Sequence, residues 1–292
     1  MTSRSIDELA GARVFAKCEN LQRVGAFKLR GAANAVFALD DRSAERGVVT
    51  HSSGNFAQAL ALAAKLRGIP AFVVMPEGST ATKIDAVRDF GAEITLCPPT
   101  LRDRESTAAT VQSRTGATFL HPYDDTFVIA GQGTAAKELI EEVSGLDAII
   151  APLGGGGLLA GTALAARALA PNALVFGAEP ENADDGARSL RSGRIEAPTG
   201  SFTIADGLRT GLGHLTFAIL SASVSSIATV SEQAIVDAMK LFWSRTKLVI
   251  EPSSAVAVAA ILSREIPGSR IGVILSGGNV DLEALPFAKP VG

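Results

Sequence analysis

Lys28, in the string GAFKLRGAANAV, is the residue of this chain whose type and setting could do covalent chemistry. It opens an apolar, alanine-rich segment of helical character that follows the strand-like run ARVFAKCE. Burial disfavours the ammonium form, and a neutral amine is what condenses with an aldehyde. A helix lysine is ordinarily a solvated residue with its stem on apolar surface, so Lys28 takes its meaning from its company. At 51–58, HSSGNFAQ places a Ser-Ser-Gly-Asn turn between a β-like run and a helix-like run. Such a turn exposes backbone N–H groups beside hydroxyls and an amide, which suits a carboxylate or phenolic oxygen, although it also serves as a plain helix cap. At 151–161, APLGGGGLLAG runs from a buried-strand pattern through Gly154, Gly155, Gly156 and Gly157 into a helix. Glycines admit a ligand close to the backbone and a helix N-terminus supplies donors, so a phosphate fits. Gly155, Gly157 and Ala160 also satisfy G-x-G-x-x-A, with Glu179 placed where a ribose-binding acid would stand, which leaves a dinucleotide open. Finally, ILSGGN at 274–279 ends a strand in a turn, a position where open α/β sheets contact ligands.

The elements that must hold these motifs alternate, strand-like then helix-like, with short connections. That is the pattern of parallel sheets covered on both faces. GVVTHSS, IPAFVVMP, AEITLCP and ATFLHP supply four strands of a small lobe, expected at 47–123. DAIIAPLG, LVFGAEP, SIATVSE and RIGVILSGG join the N-terminal VFAKCE in a larger lobe, expected over 1–46 and 124–292, so the small lobe is an insertion in the large one. The ends of the KCE and SGGN strands are then expected to border one cleft with the glycine loop. No internal repeat is present.

In order along the chain, KCENLQRVGAFKLRGA, THSSGNFAQAL, HPYDDTFVIAGQGT, PLGGGGLLAG, AEPENADD, TIADGLRT, IEPSSAVAVAA and LSGGNVD resemble the fold-type-II pyridoxal phosphate (PLP) enzymes. Within these, the similarity is to the serine racemase and serine/threonine dehydratase group, and it runs nearly end to end. The resemblance implies an α/β architecture of two open parallel-sheet lobes, like the tryptophan synthase β chain. A Rossmann dehydrogenase would not be expected to carry FKLRGA, SSGN and SGGN in these places.

By resemblance, Lys28 anchors PLP and, once freed by substrate, removes the Cα proton. Asn55 meets the ring's phenolic oxygen, while Ser52, Ser53, Gly54 and Asn55 receive the substrate carboxylate. Gly154, Gly155, Gly156, Gly157 and Leu158 cradle the phosphate, Phe27 packs on the ring face, and Ser276 faces the pyridine nitrogen. A neutral hydroxyl there does not hold the nitrogen protonated as a carboxylate would, which favours prompt loss of a β-hydroxyl. The implied reaction is elimination of water from L-threonine or L-serine, giving a 2-oxo acid and ammonia. Serine racemisation or 3-hydroxyaspartate dehydration is the alternative, and a weakened, non-catalytic binding protein a remote one. Ser53 permits racemisation, because inversion needs a second acid–base group on the face opposite the lysine. The family's Glu-x-x-x-Ala-x-Asp pattern falls on Glu179, Ala183 and Asp185, implying Mg2+, Mn2+ or Ca2+ bound by hard oxygens.

Two departures stand out. Phe56 replaces the histidine that commonly follows SSGN, and the likeness starts inside TSRSIDELAG, without the preceding helix that contributes to a dimer or nucleotide contact. At the other end there is no room for the regulatory domain of feedback-inhibited threonine dehydratases, so a catabolic role is expected. A homodimer is implied all the same.

Composition fits this reading. The 292 residues carry a net charge of −3, which gives no electrostatic reason for a nucleic-acid or anionic-membrane partner. Cys18 and Cys97 read as two buried thiols of a reducing compartment, and the N-terminus lacks the apolar core of a signal peptide, so a cytoplasmic location is expected. The uncharged run at 148–166 is broken by Pro152 and the glycines, and reads as a strand-to-helix crossover instead of a membrane span.

Overall fold

The apolar, β-branched runs form strands because their residues are covered on both faces, as parallel sheets require. The computed structural model describes residues 1–200 and 202–287. In chain order its strands are β1 (Arg13–Cys18), β2 (Val48–His51), β3 (Ala71–Pro76), β4 (Glu93–Cys97), β5 (Thr118–Phe119), β6 (Ala148–Pro152), β7 (Leu174–Pro180), β8 (Ser226–Val230) and β9 (Arg270–Leu275). Every residue of β2 and β6 is buried, whereas β4 and β8, each at a sheet edge, are largely open.

The chain divides into two compact units, Met1–Phe27 with Gln132–Gly292, and Lys28–Gly131. The first is built on a five-stranded sheet of order β1-β9-β6-β7-β8, all pairs parallel. Cys18 pairs with Leu275, so the segment after β1 and the Ser276 turn leave the sheet side by side. β6, feeding the glycine loop, is the other neighbour of β9. Three of the motifs thus emerge from the carboxyl end of one sheet, where doubly wound folds place ligands. Beneath it the helix Pro252–Leu262 is almost wholly buried, with Val256, Ala257 and Ala260 at 0 % exposure.

The second unit has a four-stranded parallel sheet of order β4-β3-β2-β5. It is wider than the 47–123 expected from sequence, because the helix Lys28–Ala38 packs against the helix Asn55–Arg67. Both helices carry small buried residues, Ala32 and Ala35 on one and Ala57, Ala61 and Ala64 on the other, which lets them approach closely. The helix Thr126–Glu142 also crosses close by, and a Cβ on Gly131 would come within 2.6 Å of the Gly31 Cα. Residues 28–46 belong with the small sheet on packing grounds that strand counting does not reveal.

Candidate active site

In the first unit, β6 ends at Pro152 and the chain turns through Gly154, Gly155 and Gly156 into the helix Gly157–Leu169. Gly156 takes φ +94, and a Cβ there would lie 2.7 Å from the Thr216 Cβ, so only glycine fits. The backbone N–H groups of Gly154, Gly155, Gly156, Gly157 and Leu158 find no acceptor among the described residues, and all but Gly154 are buried. Buried donors are normally paired, so this loop is made for an anion. Thr216, which the sequence reading missed, shapes it by donating its Oγ1 hydrogen to the Gly155 carbonyl at 2.9 Å.

Ser276 lies at the end of β9, 2 % exposed, and its carbonyl accepts from the N–H of Phe27 at 2.9 Å. Ala26 and Gly277 form a further bridge, so the residues preceding Lys28 are stitched to the Ser276 turn. Phe27 itself is 8 % exposed. Ser254, also missed, sits under the turn with its Oγ 3.0 Å from the Ser276 Oγ and 2.7 Å from both the N–H and the carbonyl of Gly277. The Glu251 carboxylate accepts from the Asn279 N–H at 3.2 Å. The string IEPSS could have signalled Ser254, since two hydroxyls directly after a proline helix start, if buried, need polar partners.

In the second unit Lys28 opens its helix half-buried, with Nζ 3.3 Å from the Pro122 carbonyl and 5.8 Å from the centre of the Phe56 ring. Phe56 is 2 % exposed. The position where the sequence departs from the family pattern is therefore an apolar wall near the lysine. The turn carrying Pro122 is tied by His121, whose Nδ1 accepts from the N–H of Asp124 at 2.9 Å. Its ring meets Tyr123 edge-on. Burial and, against the nearby Asp124, the Lys28 charge hold the His121 imidazole below its usual range.

β2 ends in His51 and opens the SSGN turn. The N–H of Ser52 donates to the Val74 carbonyl at 3.0 Å, Gly54 precedes the helix, and Asn55 is its first residue. Ser53 is half-buried and neither its N–H nor its hydroxyl makes a hydrogen bond among the described residues. His51 is 5 % exposed with Nε2 unpartnered, and burial, then the His121 and Arg104 charges, push its pKa down to about 4. Arg104, in the helix Leu101–Thr115, was not singled out from sequence. Its Nε is buried with no hydrogen-bond partner among the described residues.

Glu179, on β7, and Asp185 are 1 % and 2 % exposed. Both Glu179 oxygens accept backbone N–H groups, from Gly186 at 3.0 Å and Ala187 at 2.9 Å. Each oxygen keeps a second lone pair, so these bonds anchor the carboxyl to its own chain without exhausting it. Burial raises the Glu179 carboxyl to about 8 and that of Asp185 to about 6. The buried Asp185 Oδ2 has no partner, and the nearby Arg188 pairs with Asp184 instead. Ala183 ends the short helical turn between the two acids. A pair of buried carboxylates with an orphaned oxygen suits a hard cation. No cluster of three or more His, Cys, Asp or Glu side chains occurs among the described residues, and the expected set has only two. Cys97 is buried as expected, but Cys18 is only half-buried, and both are free thiols.

The run at 148–166 is β6 and the start of a helix, and no helix among the described residues is long and apolar enough to cross a membrane. A parallel sheet that ends in a glycine-lined anion cradle at a helix start suits an enzyme that holds a phosphorylated ligand. The chain belongs to the family described as pyridoxal-phosphate dependent enzyme, whose model matches residues 1–277. It is 54 % identical over 288 residues to the beta-hydroxyaspartate dehydratase of Paracoccus denitrificans, covering 98 % of this chain and 91 % of that protein. It is 49 % identical to the serine racemase of Dictyostelium discoideum, over 98 % of this chain and 90 % of that one. The crystal structure of that racemase superposes with a TM-score of 0.92, covering 97 % of this chain and 92 % of the other. The expected fold-type-II architecture is therefore the one the chain adopts.

Proposed function

We propose that the protein eliminates water from a β-hydroxy amino acid to give a 2-oxo acid and ammonia, with 3-hydroxyaspartate preferred over L-threonine and L-serine. The observation that carries the preference is Arg104. An unpartnered guanidinium Nε, buried and felt electrostatically by the residue before the SSGN turn, offers a counter-charge that a second carboxylate needs and a hydroxymethyl group does not. Relatives named for this substrate support it, including the L-threo-3-hydroxyaspartate ammonia-lyase of Saccharomyces cerevisiae at 49 % identity over 97 % of this chain.

In this reading PLP, when bound, supplies the electron sink for bond breaking at Cα. Lys28 is its anchor and the base at Cα. The Pro122 carbonyl can only accept, so a hydrogen bond from Nζ turns the amine's lone pair elsewhere. Ser52, Ser53, Gly54 and Asn55 hold the α-carboxylate and the phenolic oxygen. The unpaired N–H groups of Gly154, Gly155, Gly156, Gly157 and Leu158 hold the phosphate, with Phe27 and Ser276 at the ring. Glu179, the Ala183 carbonyl and Asp185 hold Mg2+ or a similar cation. Serine racemisation is the second reading, favoured by the unengaged Ser53 hydroxyl, which is free to exchange a proton on the second face.

The test is 2-oxo acid release and enantiomer exchange on 3-hydroxyaspartate, L-threonine, L-serine and D-serine. Arg104→Gln should raise KM for 3-hydroxyaspartate by about 10- to 100-fold, the worth of a hydrogen bond to a charged group, and leave L-serine nearly unchanged. Equal effects on both substrates, or faster turnover of L-threonine by the native protein, would sink the preference.

A further inference from the structure

Lys28 and Phe56 stand in the first turns of two helices that pack together, and the Lys28 Nζ lies over the Phe56 ring, 5.8 Å from its centre. The ring is 2 % exposed, so its face is shielded from bulk water. An aromatic face carries the negative part of a quadrupole: it attracts a cation and has no such attraction for a neutral amine. A positive charge at Nζ is otherwise opposed. The lysine is half-buried, and both helices begin here, with the positive ends of their dipoles. The Pro122 carbonyl, 3.3 Å from Nζ, and the Phe56 face work in the other direction. The histidine common in the family at position 56 would set there a ring that can itself take a proton.

We propose that Phe56 determines how the reaction partitions, its ring face steadying the positive charge that Lys28 acquires on taking the Cα proton. This rests on Lys28 being the base at Cα, as in the proposed function. In that step the Nζ lone pair forms the new N–H bond, the C–H bond breaks, and its electron pair stays on the substrate side, where the cofactor accepts it. The amine passes from neutral to cationic. An interaction felt only by the cation lowers the barrier without tightening the binding of substrate. A steadied ammonium also holds its proton longer, so fewer protons return to Cα and more of the flux goes on to loss of the β-hydroxyl. The departure from the family pattern at position 56 thus favours elimination over exchange.

The experiment replaces Phe56 with phenylalanines carrying one, two and three ring fluorines, which draw electron density from the ring face and nearly keep its shape. With the β-hydroxy amino acid that the native protein turns over fastest, Cα–H cleavage is read as release of Cα deuterium in a single turnover. Its rate should fall by about 5-fold across the series, graded with fluorine number, while KM stays unmoved. In the holoenzyme without substrate, the nitrogen joining Lys28 to PLP gains or loses a proton with pH. The pH at which the visible band changes should fall by the same factor, about 0.7 unit. The turn of Pro122 also carries His121, which feels the Lys28 charge, with Asp124 and Asp125, and the helix of Lys28 carries Arg30; the series leaves all four unchanged. Phe56→Leu, apolar and without a π face, should match the most fluorinated ring. Rates and band positions that stay flat along the series, or that move only in Phe56→Leu, overturn this proposal alone. A protein in which Lys28 carries no PLP overturns the site reading and this with it.

Discussion

Acid should destabilise this protein through His51, by an amount that can be worked out. Its ring stacks on Phe119 at 5.6 Å between centroids, is 5 % exposed, and has no partner at Nε2, so a charge there would be poorly compensated. The group titrates at about 4 in the fold against an ordinary 6.5, burial being the main cause. Between those values the unfolded chain binds a proton at this site and the folded chain does not. Stability from this group is therefore complete above pH 6.5 and drains away as pH falls toward 4. A gap of about 2.5 units corresponds to about 3 kcal/mol once both states are protonated, and about 2 kcal/mol is already lost at pH 5. His51→Phe keeps a stacking ring and cannot titrate. Urea unfolding followed by circular dichroism at pH 7, 6 and 5 should show the native protein losing about 2 kcal/mol more than the variant, carboxylate effects cancelling in the difference. Parallel loss in the two proteins would show that the imidazole is solvated or partnered, and the burial argument would be wrong.

Three further outcomes are expected. Lys28→Ala should abolish turnover and the yellow colour of bound cofactor while leaving far-ultraviolet circular dichroism intact, and borohydride reduction of the native holoenzyme should place the label on Lys28 by peptide mapping. Ser53→Ala should suppress any serine racemisation by at least about 10²-fold and spare dehydration far more, and matching losses in both would make Ser53 a substrate-positioning group only. With Mg2+ at about 100 times its Kd the native protein should gain about 2.7 kcal/mol, seen as a rise of several degrees in Tm that excess chelator removes, and Asp185→Asn should lose that rise. An unchanged melting curve in chelator would leave Glu179 and Asp185 as a buried acid pair with no cation.

The motifs and the order of strands were legible in the sequence because they depend on local chemistry. An apolar β-branched run has few fates other than a buried parallel strand, and four consecutive glycines ahead of an apolar helix have few uses other than a close approach of backbone to a ligand. The sequence by itself determined that Lys28, the SSGN turn, the glycine loop and the SGGN turn each end or begin an element, and so stand where ligands are met. It did not determine where the small unit begins, since that depended on alanine faces of two helices meeting across a chain separation no periodicity records. Nor did it reveal that Glu179 accepts the N–H groups of Gly186 and Ala187; the match to the pyridoxal-phosphate dependent family, and not this carboxylate, removes the dinucleotide reading. Thr216 and Arg104 were invisible for the same reason: a threonine or an arginine has no distinctive neighbours in sequence, and becomes functional only when folding removes its water and chooses its partner. Only the tertiary structure decided that the Ser254 hydroxyl meets Ser276 and Gly277, because those groups are brought together from distant parts of the chain and a buried hydroxyl must find its partners there.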